Sequence, residues 1–126
     1  MQNLEQVRAG NALKFAIRDG EKVCGPQGGE VIKKLPPLII NHGLLATAAY
    51  SFGEKIGWQL TLDAIALHLS DPDVAVLPAD KVKDRMTMLS FLTAKDTTSE
   101  VLKLATIETM AWLQYARRFV KRAQAQ

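Results

Sequence analysis

Apolar residues recur along this chain at spacings of three and four, within long stretches rich in Ala, Leu, Lys and Gln. Glycine and proline punctuate those stretches at Gly25-Pro26 with Gly28-Gly29, at Pro36-Pro37, at Asp71-Pro72 and at Pro78. Alternating apolar and polar runs of strand type are missing. The pattern predicts an all-α fold, a compact single domain over residues 1–126 built from about five to seven helices.

The first helix is expected from Asn3 to Asp19 or Cys24, with Leu4, Val7, Ala12, Phe15 and Ala16 on one face. A short helix then approaches Leu35. Pro36-Pro37 suits the opening turn of a helix rather than its interior, because proline has no N–H to donate. Asn41-His42-Gly43 has the composition of a helix end. Further helices are expected over Leu44–Phe52, Leu60–Leu69, Val82–Thr93 and Val101–Ala123, the last preceded by N-cap candidates in Asp96–Glu100.

The final helix divides by face. At about 100° per residue, Leu102, Ala105, Thr109, Trp112, Leu113, Ala116, Phe119 and Val120 share an arc of about 120°, a core-facing stripe. Lys103, Arg117, Arg118, Lys121 and Arg122 occupy an arc of roughly 140° on the other side. Leu104, Ile107, Met110 and Ala111 lie outside the core arc, so the N-terminal half of this helix is apolar almost all round. Such a helix is covered by its own bundle or by a partner.

Charge sharpens this picture. Residues 1–100 carry 11 basic and 12 acidic side chains, whereas residues 101–126 carry five basic side chains against Glu108 alone. The net +3 of the chain therefore resides in its last quarter. Basic residues at a helix C-terminus complement the macrodipole, but dipole compensation does not require four cations within six residues. Arg8, Lys14, Arg18 and Lys22 form a second basic stripe, flanked by Asp19 and Glu21, and Lys33-Lys34 a third basic point. Together they suit a surface that follows a phosphate backbone.

The remaining composition excludes several classes. A single cysteine, Cys24, cannot form an internal disulfide, and with two histidines it cannot complete a four-ligand Cys/His zinc site. No apolar run is long enough to span a membrane, and the start of the chain has no hydrophobic signal core. The expectation is a reduced, cytoplasmic protein without membrane attachment, metal, cofactor or small-molecule substrate. Catalytic groups are sparse. Cys24 adjoins a Gly/Pro segment, His42 falls at an expected helix end, and His68 sits between Leu67 and Leu69 as a partly buried structural residue. Asp71 and Asp73 flank Pro72 in turn chemistry. Gly25–Gly29 lacks the Gly-Lys-Ser/Thr of a phosphate loop. A hydrolase would have to bring His42 and His68 together with Asp63, Asp71 or Asp73. A helix-turn-helix DNA regulator would need base-reading side chains near the N-terminus of a recognition helix, whereas the charge here lies at a C-terminus.

Two segments carry a resemblance. Lys33-Lys34-Leu35-Pro36-Pro37-Leu38-Ile39-Ile40-Asn41-His42-Gly43-Leu44, running into Ala46–Tyr50, is similar to the basic-Leu-Pro-x-Leu-Ile…Asn-Gly-Leu stretch of the Cmr small-subunit family. Ala105-Thr106-Ile107-Glu108-Thr109-Met110-Ala111-Trp112-Leu113-Gln114-Tyr115-Ala116-Arg117-Arg118-Phe119 resembles that family's C-terminal stretch. Tyr115 stands where Trp is frequent, and Leu102-Lys103 replaces a common Tyr-Arg pair, losing the planar guanidinium fork. The resemblance implies a non-catalytic structural subunit of a type III-B CRISPR (Cmr) effector, an RNA-silencing ribonucleoprotein of antiviral defence. Such a subunit stacks with further copies of itself in an inner filament beside other Cmr subunits, along the guide RNA and target RNA. Under that reading Arg117, Arg118, Lys121 and Arg122 are the first candidates for phosphate contact, followed by Lys33, Lys34 and Lys103, then Lys14 and Arg18. Leu104, Ile107 and Met110 are the candidates for subunit contact.

Overall fold

In the computed structural model, residues 3–125 are described, with side chains as far as Val120. Five α-helices, α1 (Leu4–Val23), α2 (Val31–Tyr50), α3 (Ile56–Ser70), α4 (Arg85–Leu92) and α5 (Ser99–Ala125), account for most of them. Short 3-10 turns at Pro26–Gly28 and Ser51–Gly53 join the first three, and the described residues contain no strand. The all-helical expectation holds.

Local chemistry sets the boundaries. The Asn3 side chain accepts from the Gln6 N–H at 2.9 Å, while the Gln6 side chain accepts from the Asn3 N–H at 2.9 Å, a reciprocal cap that starts α1. Asp84 does the same for α4 through Thr87. That cap places the start of α4 at Arg85, three residues later than the apolar pattern from Val82 indicates. Thr98 Oγ1 accepts from the Val101 N–H at the head of α5.

α2 departs most from the pattern. Pro36 and Pro37 lie inside it, whereas at Gly43 it divides into two helical segments across a kink, at the helix end that Asn41-His42-Gly43 implies. Proline's fixed φ is helical, so its cost is limited to two missing N–H donors and local crowding. Burial of Leu35, Pro36 and Ile39 offsets that cost. At Gly43, φ 86° and ψ 166° break the helical ladder in a region that only glycine enters readily. The Thr47 hydroxyl donates to the Gly43 carbonyl at 2.8 Å and supports the bend.

α3 is buried on nearly every side, with Trp58, Leu62, Ile65 and Leu69 fully enclosed. α1 packs most extensively on α5, where Phe15 meets Trp112 with ring centroids 5.4 Å apart. The glycine-rich segment between α1 and α2 docks on the start of α3. The Trp58 indole donates to the Gly29 carbonyl at 3.1 Å, and Lys55 Nζ donates to the Pro26 carbonyl at 3.0 Å. Backbones touch here: a Cβ at Gly57 would lie 2.2 Å from the Gly28 carbonyl oxygen. This joint fixes where α2 begins.

Candidate nucleic-acid interface

The sequence-derived basic residues separate into distinct places. Lys33, in the first turn of α2, and Arg117 and Arg118, on α5, line one cleft of about 610 Å³. Pro26, Ile32 and Cys24 are its accessible apolar lining, with the buried Val23 and Val120 behind them, and Glu30 lines it as well. Lys33, Arg117 and Arg118 are exposed, and none has an ion-pair partner among the described residues. Lys33 and Lys34 stand at the positive end of the α2 dipole, where cations are disfavoured by about 0.3–1 kcal/mol each. No side chain caps that helix end.

Lys14 and Arg18 line a second cleft, of about 420 Å³, together with Lys83. Arg18 also pairs with the buried Asp19 at 2.9 Å. Lys103 lies elsewhere, in a shallow groove at the bend of α2 shared with His42, Leu45 and Ile107. Lys34 is exposed on α2 and borders none of these clefts. The side chains of Lys121 and Arg122 lie outside the described residues. Of the apolar candidates, Leu104 and Ile107 are 52% and 56% exposed, while Met110 is half-buried against the core.

Arg8, the first member of the α1 stripe, is consumed internally. Its guanidinium clasps Glu108 with two bonds of 2.7 Å, and Glu108 is buried. Glu108 Oε2 also meets His68 Nε2 at 2.9 Å. The Asn11 amide donates to His68 Nδ1 and to Asp71 Oδ2, each at 3.0 Å. With Nδ1 accepting, Nε2 carries the hydrogen and donates to Glu108, so His68 is neutral. Burial pushes the imidazole below its ordinary pKa, and Glu108, already engaged by Arg8, does not restore it. Burial alone would raise the Glu108 carboxyl, but hydrogen bonds from Arg8 and His68 outweigh it and hold its pKa low. Sequence reasoning missed this cluster. Its one available signal was Glu108 at the rim of the core arc of α5.

The groups a hydrolase would need are occupied with structure. Both ring nitrogens of His68 are hydrogen-bonded, and His42 lines a different groove. Asp63 accepts from the Arg85 N–H at 2.9 Å, and Asp71 accepts from the Asp73 N–H at 2.9 Å. Among the described residues no helix is long and apolar enough to cross a membrane.

Fold and surface together define a small all-helical protein in which three cations, Lys33, Arg117 and Arg118, share a cleft where the head of α2 meets α5. Over residues 4–123 the chain matches the family described as CRISPR-associated protein (Cas_Cmr5), and it belongs to that family. It is thus a subunit of a Cmr-type CRISPR complex, associated with the other subunits of that complex. No curated protein and no solved structure matches it.

Proposed function

We propose that this chain is a non-catalytic structural subunit of the Cmr effector, stacking with copies of itself in an inner filament and touching the guide and target RNA backbone without reading sequence. The observation that carries this reading is the convergence of Lys33, Arg117 and Arg118, from two helices, on one cleft, where none of them is in an ion pair among the described residues and Glu30 is the one acid of the lining. Guide pairing supplies sequence selection, so the small subunit needs only electrostatic contact. Lys121 and Arg122 extend the patch along the sequence of α5, and Lys34, Lys103, Lys14 and Arg18 supply weaker contacts on neighbouring surfaces. Leu104 and Ile107, with Met110 behind them, form the subunit contact.

Replacing Lys33, Arg117 and Arg118 together by Glu tests the reading. Target RNA association of the assembled complex should weaken, with a log–log salt slope flatter by about 0.7–0.9 for each phosphate that is no longer neutralised. Filter binding at two salt concentrations measures both. Unchanged affinity and slope would reject the assignment.

A further inference from the structure

Duplex backbone contact needs only an exposed cationic surface, yet Lys33, Arg117 and Arg118 stand around a recess. Its volume of about 610 Å³ falls within the roughly 300–1,000 Å³ typical of small-ligand sites. Its walls combine two chemistries. Arginine forks and an ammonium suit a phosphate, and the accessible apolar side formed by Ile32 and Pro26 suits an apolar group beside it. Three cations face one carboxylate, Glu30, so the recess keeps a positive excess that an anion would neutralise.

We infer that this cleft receives a nucleoside phosphate, with the phosphate on Lys33, Arg117 and Arg118 and the base against the apolar wall. The nucleotide comes either from the end of an RNA strand or from free nucleotide. Arg guanidinium planes also stack on unpaired bases, which gives the base a second contact. The inference uses the same cations as the proposed backbone contact but adds a requirement for the recess, and the two separate experimentally.

Cys24 is the chain's one cysteine and borders the recess, so its alkylation reports occupancy. The full chain is treated with N-ethylmaleimide in the presence of 5′-AMP, adenosine, inorganic phosphate, or a 5′-phosphorylated hexa-adenylate. AMP should slow alkylation in proportion to occupancy, about tenfold at nine times its dissociation constant, with adenosine and phosphate each weaker. Protection by the hexamer alone would assign the strand end as source, and protection by AMP as well would admit free nucleotide. Because Arg117 and Arg118 are exposed, Arg117→Gln with Arg118→Gln keeps the fold and should abolish protection. A bulky maleimide adduct on Cys24 should block AMP binding while leaving the salt-sensitive RNA binding of the assembled complex in place, which distinguishes recess from surface. The inference is overturned if neither AMP nor the hexamer protects, if phosphate protects as well as AMP, or if the double Gln variant stays protected.

Discussion

Glu108 shows how much a single side chain can decide. It is the one acid of the last helix beyond its first turn, and its carboxylate holds Arg8 from α1 and His68 from α3. Removing one member of a buried ion pair typically costs about 3–5 kcal/mol because the partners lose their counter-charge. The Arg8 side chain remains 25% exposed, so Glu108→Ala should cost about 2–4 kcal/mol by urea denaturation. The network also fixes a pH response. The folded state keeps His68 neutral, so below its ordinary pKa of about 6.5 the unfolded chain binds the extra proton. Stability is therefore full above that pH and falls as the solution is acidified towards the lower, folded pKa. Glu108 and Asp71, whose folded pKa values are depressed, add a further loss below about pH 4.5. Melting temperatures between pH 5 and 8 should decline on the acid side in the native protein and flatten in His68→Gln. The sequence marked His68 as structural because leucines flank it. It could not show Arg8 as its neighbour, since the helical wheel of α1 places Arg8 among solvent-facing cations and only the packing of α1 on α5 reveals the buried partner.

Helices were legible where one face is apolar and the cap is a side chain. The Asn3 start of α1 and the core stripe of α5 appear in the structure much as the periodicity implies, with Ala105, Thr109, Trp112, Leu113, Ala116 and Val120 all buried. Legibility was divided at α2: the interruption expected at Asn41-His42-Gly43 is present at Gly43, whereas Pro36-Pro37 lie inside the helix instead of opening one. Burial of Leu35, Pro36 and Ile39 overrides the local penalty, and a packing gain of that kind has no signature in spacing alone. The bend at Gly43 gives this argument a test. A Cβ there would meet nothing within 4 Å, so the penalty of Gly43→Ala is one of backbone conformation only. It should cost about 1–3 kcal/mol with the helical circular dichroism of the native state retained. A change within a few tenths of a kcal/mol would show that α2 can straighten at no cost.

On the scale of the whole molecule, net charge revealed that cations are in excess but not how they are shared out. The three basic stretches of sequence do not form one continuous band: Arg8 is paired with Glu108, Arg18 is partly neutralised, Lys103 faces the bend of α2, and Lys33 joins Arg117 and Arg118 across two helices. The surplus apolar surface of α5 is more local, and Leu104 and Ile107 carry it. Because both are exposed, Leu104→Lys with Ile107→Lys should shift stability by no more than about 0.5 kcal/mol per site. The same pair should reduce incorporation into the Cmr complex, as co-purification with tagged partner subunits would measure. The contact of Gly57 with the Gly28 carbonyl has a consequence for how such a chain can change over generations. Main chain opposes main chain there: the three atoms nearest a methyl group at position 57 are all backbone of Gly28, which a second substitution cannot trim. Revertants of Gly57→Ala should therefore restore glycine or alter the length of the 25–30 segment, and a compensating change of side chain elsewhere in the core should be absent from a suppressor screen.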